Sequence, residues 1–239
     1  MKFLFIPFLL ALALLSSCNN SAPNEKQIIK QDSLPLLDTF SIGKKNFYVY
    51  ASSKEEFDKL PKPFSFDSLE KNNLLRDSAD AFRLGTVLVL NCRKGETRSF
   101  KNDTTEGYDS YADYTYLGKI PEINQFLIYG SFMEAFSYWL INPVSGDTTR
   151  LCGMPVFSPD KKHFICGNTD LIAAFVINGF DLYEVNNKQI KAVGQTFLEK
   201  WGPGKIKWLD NSSLLIERNI LDTTISTMIK TDYVKLIMK

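Results

Sequence analysis

The sequence predicts an all-β fold, a mainly antiparallel meander open to propeller-like blades, with one or two short helices near the N-terminus. Two observations carry that expectation. From residue 84 onward, short apolar and β-branched runs alternate with Gly, Asn-Asp and Pro-Asp turn signals at close spacing, the mark of hairpins. Similar strand–turn–strand segments also recur with a period in the forties, about what a four-stranded repeat needs. Composition agrees with a folded chain. Its 239 residues are 44% hydrophobic and 23% charged, which excludes disordered and low-complexity classes and suits one ordinary domain.

The first element is an address. Lys2 precedes an apolar run from Phe3 to Leu15, too short to cross a bilayer and of the right length for a signal segment. Leu15-Ser16-Ser17-Cys18 follows. This resembles the signal of bacterial lipoproteins, in particular Bacteroidota-like ones: an apolar residue, two small residues and a Cys. The resemblance implies that residues 1–17 are removed, that the Cys18 thiol takes a diacylglycerol, and that its new amine is acylated, commonly with palmitate. Several acyl chains make a stable anchor. No Asp follows Cys18, so the resemblance favours the outer membrane of a Gram-negative envelope, facing the periplasm. Cleavage removes Lys2, one of 28 basic residues, and leaves the chain balanced against its 27 acidic ones. That neutrality argues against a nucleic-acid partner and against a polybasic membrane patch. No internal stretch is apolar enough to span a bilayer.

Residues 18–40 are rich in Asn, Ser, Lys, Gln and Asp, with Pro23 and Pro35, and read as a flexible tether. Residues 41–239 read as a single, mostly β domain. Residues 46–51 are the first strand candidate. Lys54 to Leu60 predicts a short helix stopped by Pro61 and Pro63. Asp67-Ser68-Leu69-Glu70 reads as a capping box opening a second one. Strands are then expected at 84–92, 95–101, 114–119, 125–131, 136–142, 147–152, 163–167, 171–177, 180–186, 189–195, 205–209, 213–218, 225–230 and 232–238.

Within residues 155–218, Phe157-Ser158-Pro159-Asp160-Lys161-Lys162 resembles the turn between the first two strands of a blade in TolB-type and tryptophan–aspartate-repeat propellers. Trp208-Leu209-Asp210-Asn211-Ser212 is similar to a degenerate copy. The resemblance implies a propeller-like part over about residues 84–239. The Gly-His and Trp-Asp dipeptides of that family are absent, and three to four blades are fewer than most closed propellers have, so a sandwich or curved sheet stays open as the alternative.

Candidate sites are sparse. Cys152 and Cys166 flank the Phe157 turn and are expected to form a disulfide in an oxidising compartment; the alternative is that both, with Cys92, are buried thiols acting as small hydrophobes. His163 and Cys166 lie three apart on a strand, so they point to opposite faces and make a poor metal pair. With His163 the single histidine, neither a metal site nor a catalytic triad is expected, and no phosphate-binding loop or nucleophile elbow is present. No cofactor is implied. The most distinctive composition is Asp103, Glu106, Asp109 and Asp113 beside Tyr108, Tyr111, Tyr114 and Tyr116. It is a candidate loop for binding a glycan or a protein, or a source of paired carboxylates; a solvated loop before a Tyr-rich strand is the plainer account. Asp-Ser/Thr followed by an aliphatic residue or Thr resembles the O-glycosylation acceptor of Bacteroidota periplasmic proteins. It implies modification at Ser33, Ser68, Ser78, Thr104, Thr148 and Thr223; turn formation explains the same pairs.

The sequence therefore points first to a lipid-anchored, non-enzymatic binding module with a protein or glycan partner in the envelope. The alternatives are a carboxylate enzyme acting on carbohydrate or envelope polymer, and an immunity or inhibitor lipoprotein.

Overall fold

The structure is a computed structural model, and it describes residues 35–63, 69–93, 96–105, 110–222 and 229–239. Two strands open the described chain, β1 (Leu36–Ile42) and β2 (Lys45–Ala51), followed by helices α1 (Lys54–Lys59) and α2 (Glu70–Arg76). Strands β3 (Ala81–Leu84), β4 (Val87–Asn91) and β5 (Thr97–Lys101) form a three-stranded antiparallel sheet. A four-stranded meander follows: β6 (Ala112–Ile120), β7 (Gln125–Phe132), β8 (Phe136–Ile141) and β9 (Thr148–Leu151). The next is β10 (Val156–Phe157), β11 (His163–Asn168), β12 (Gly179–Asn186) and β13 (Gln189–Phe197). The last strands, β14 (Trp201–Trp208), β15 (Ser213–Leu221) and β16 (Ile229–Met238), join the first two in the order β1-β2-β16-β15-β14. The fold is all-β, as the sequence predicts.

The two middle sheets are buried on both faces, which explains their unbroken apolar runs. In β11, Phe164 and Cys166 pack toward the β6–β9 sheet, while Ile165 between them packs toward β14 and β15. In β7, Leu127 packs toward β11 and β12, and its neighbours Phe126 and Ile128 pack toward β4. Three apolar clusters thus join the sheets in series, from β3–β5 through β6–β9 and β10–β13 to the five-stranded sheet. None of the three joins the first sheet to the last. The meanders are blade-like, but among the described residues they form no closed propeller or barrel, so the sheets do not close into the ring that the propeller resemblance left possible. Helix α1 is set against β15 and β16, and α2 against β6.

The turn chemistry follows the sequence closely. Ser158 Oγ donates to Asp160, whose carboxylate accepts the Lys162 N–H, and this turn joins β10 to β11. Asp210 accepts the Ser212 N–H and hydroxyl between β14 and β15. The two turns touch, with Asp160 N–H donating to Asn211 at 3.0 Å. Ser53 caps α1 by accepting the Glu56 N–H, and Phe57 is its buried anchor.

Five expectations need correction. Residues 36–40, expected in the tether, are strand β1: Phe40 stacks on Phe47 and Phe180 with centroids 5.1 and 5.5 Å away. The single strand expected at 84–92 is the end of the β3–β4 hairpin, because Gly85 takes φ +59° and turns the chain. Residues 171–177 are a loop, because Asp170 captures the backbone donors a strand would need. The strands expected at 225–230 and 232–238 are one strand where described, β16, paired with β15 throughout; residues 225–228 lie outside the described residues. Asp67 also lies outside them, and Glu70 does not act as a capping residue. Its carboxylate binds Arg83 at 2.7 and 2.8 Å and accepts the Tyr116 N–H at 2.7 Å.

Candidate functional site

The Tyr/Asp segment does not assemble as one surface. Asp103 accepts the Thr105 N–H and hydroxyl in a tight turn, which holds its carboxyl below the usual range. Asp113 accepts from the Asn102 side chain. Tyr114 packs against Phe100, Phe132 and Trp139 with centroids 5.3 to 6.0 Å apart, so its ring is part of the core rather than a stacking platform. Tyr116 is buried, with its hydroxyl on Asp77 at 2.9 Å. Tyr111 is half-buried at the strand entry. Glu106, Tyr108 and Asp109 lie outside the described residues, as do Cys18, Ser33, Ser68 and Thr223. Ser78, Thr104 and Thr148 are all exposed.

The expected bridge is not formed: Cys92, Cys152 and Cys166 are free thiols. The chain segments do meet, since a Cβ on Gly153 would lie 2.3 Å from the Gly167 carbonyl oxygen. Burial, then the nearby Asp181 carboxylate, pushes the Cys152 thiol well up, and burial does the same to Cys166. Both are protonated thiols at neutral pH rather than nucleophiles. His163 has its pKa lowered, first by burial, and its Nδ1 makes no hydrogen bond, so it is neutral at pH 7. Among the described residues no three His, Cys, Asp or Glu side chains converge as a metal site, and no helix is long and apolar enough to cross a membrane.

A concave site the sequence did not announce lies between the two middle sheets. It is a cleft of about 500 Å³ where the β8–β9 edge faces β12 and β13. Strand register builds its floor. Asp181 and Gln195 stand opposite each other on β12 and β13, so their side chains share one face, with the buried Cys166 of β11 in register beside Asp181. Asp181 is only 4% exposed. It accepts from the Gln195 amide and from the Cys152 N–H, the latter at 2.8 Å. Arg150 and Ser137 line the sheet opposite, with Arg150 Nε donating to Ser137 Oγ at 2.8 Å.

The roof is the 169–178 loop. Asp170 accepts four backbone N–H groups, from Ala173, Ala174, Phe175 and Val176, at 2.8 to 3.0 Å. Burial pushes its pKa up, but those donors outweigh it and hold the carboxyl below the usual range. Asn168 and Asn178 tie the loop base down, through the Ile177 carbonyl and the Leu198 and Trp201 carbonyls. The braced loop presents Ile172 and Phe175 to solvent, and Phe197 stands exposed at the mouth. An acid inside an apolar strand, Phe180-Asp181-Leu182-Tyr183, was the available sequence signal, but its partners come from other strands. No protein family, curated protein or solved structure matches this chain at a significant level.

Proposed function

We propose that the chain is a lipid-anchored cell-envelope protein, held by Cys18 in the outer membrane and facing the periplasm. Its β domain is a non-enzymatic binding module that recognises a protein or glycan partner. The lipid signal at Leu15 to Cys18 supports the anchor. The observation that carries the binding reading is the cleft between β9 and β12–β13. It combines a polar floor, a braced roof and exposed Phe175 and Phe197 at its mouth, the composition of a recognition site. The carboxylate-enzyme reading draws less support, since Asp103 and Asp113 are engaged in local hydrogen bonds.

Two measurements test this. Intact mass and fractionation of the native protein are expected to show lipid on Cys18, and Cys18→Ser is expected to move the protein from the membrane to the soluble fraction. Cross-linked full-length protein is expected to capture a stoichiometric envelope component through residues of the cleft mouth. A soluble, unlipidated wild type refutes the anchor, and cross-links confined to other faces refute the cleft.

A further inference from the structure

The cleft carries charges of both signs that form no ion pair among the described residues. Asp181 is buried, and its oxygens are met only by uncharged donors: the Gln195 amide, the Cys152 N–H and the Cys152 thiol. None of the ion pairs among the described residues includes Asp181 or Arg150. Burying a carboxylate without a cation is unfavourable, so a ligand that brings a positive group into hydrogen-bond reach restores what folding gives up. Asp181 retains lone pairs for such a group, since an ionised carboxylate has about four acceptor sites.

Arg150 lines the same cleft. Its Nε is engaged with Ser137, and its two terminal nitrogens make no hydrogen bond or ion pair among the described residues. A guanidinium with both ends free suits a carboxylate, which it meets with two parallel hydrogen bonds. The rest of the mouth is apolar and aromatic: Phe136, Phe175 and Phe197. A lone cation finds Asp181 but is repelled by Arg150, and a lone anion finds the reverse. A molecule carrying both charges is complementary to both.

We propose that this cleft takes a small zwitterion of the α-amino-acid type with an apolar side chain. Its ammonium donates to Asp181, its carboxylate accepts from Arg150, and its side chain lies against Phe175 and Phe197. A free amino acid and the end of a short peptide share this chemistry, and the roughly 500 Å³ of the cleft accommodates either. The inference rests on the binding-module reading and specifies its ligand.

The test is isothermal titration, with amide spectra of the full lipidated chain in detergent micelles. The probes are L-norleucine, L-leucyl-L-leucine, n-pentylamine, hexanoate and 1-pentanol. Norleucine or the dipeptide is expected to shift the amides of Cys152, Ala174 to Ile177 and Gln195. Each is expected to bind at least tenfold more tightly than the amine, the acid or the alcohol. Arg150→Gln, on an exposed side chain, is expected to erase the advantage over n-pentylamine, and Asp181→Asn the advantage over hexanoate. Phe197→Ala, at an exposed site, is expected to weaken all the probes together. Tighter binding of the dipeptide than of norleucine identifies a peptide end; the reverse identifies a free amino acid. Binding of pentanol as tight as that of norleucine overturns the zwitterion while leaving the cleft a binding site. If no probe shifts the cleft amides, the zwitterion proposal is overturned. The binding-module reading fails separately, when cross-links to envelope components avoid the cleft mouth.

Discussion

Asp170→Ala removes one carboxylate and is expected to dissolve the cleft roof while leaving the sheets intact. The side chain is the acceptor for four consecutive backbone donors, Ala173 to Val176. A hydrogen bond to a charged group contributes about 1.5–3 kcal/mol net when isolated. The loop is half-exposed, so water recovers much of each bond, and about 0.5–1 kcal/mol apiece gives ~2–4 kcal/mol of local order. At 1.4 kcal/mol per decade, amide hydrogen exchange at residues 173–176 rises by roughly 30- to 700-fold. Asp170→Asn keeps one acceptor oxygen and is expected to fall between. Global melting changes little, because Ala173, Ala174 and Phe175 lie outside the buried core. The pH dependence has a definite sign. The folded carboxyl titrates below its unfolded value of about 4, so its contribution is complete above that value and is lost as pH falls through the lower folded one. Loop protection that is the same in wild type and Asp170→Ala at pH 7 refutes the argument.

Lys207→Met is expected to cost about 2–3 kcal/mol, or roughly 4–12 °C in thermal melting. Lys207 is 8% exposed, its ammonium donates to the Phe57 and Leu60 carbonyls at 2.9 Å, and it lies 4.3 Å from the Phe57 ring. Gly43→Ala is expected to lose at least about 2 kcal/mol in urea unfolding: Gly43 has φ +58°, and a Cβ there would lie 2.3 Å from the Val193 carbonyl oxygen. Cys152 and Cys166 are expected to resist a maleimide at pH 7 and to react only on unfolding, because burial holds both as thiols.

The elements that the sequence made legible are those whose reasons are local. The Ser158-Pro159-Asp160 and Asp210-Asn211-Ser212 turns use hydrogen bonds within a few residues. Helix α1 (Lys54–Lys59) ends just before the stop that Pro61 and Pro63 mark in the sequence. The elements it obscured have distant causes. β1 carries Asp38 among its apolar residues, and that acid reads as tether until Trp201 Nε1 is found donating to it at 2.9 Å. Leu171 to Ile177 has strand composition, and a single preceding acid overrides it. Tyr114 reads as a ligand-binding ring because nothing nearby in sequence foretells that Phe100, Phe132 and Trp139 surround it. Asp181 gains its role from Cys152 and Gln195, on separate strands, and only register brings the three together.

The pairing of β16 with β2 sets the timetable of folding. Val234 stands opposite Ala51, and Leu236 opposite Val49, so the first strands find their partner only after nearly the whole domain has been made. Contacts so far apart in sequence are slow to form. Until Ile229–Met238 arrives, one edge of β2 is an unpaired template beside the apolar side chains of Phe47 and Val49, and such an edge invites aggregation. The middle meanders, whose strands pair with their neighbours in sequence, can assemble first. A chain cut before β16 therefore retains hairpins but loses the strand that binds its beginning to its end, and the nascent or truncated protein, rather than the mature one, carries the open edge.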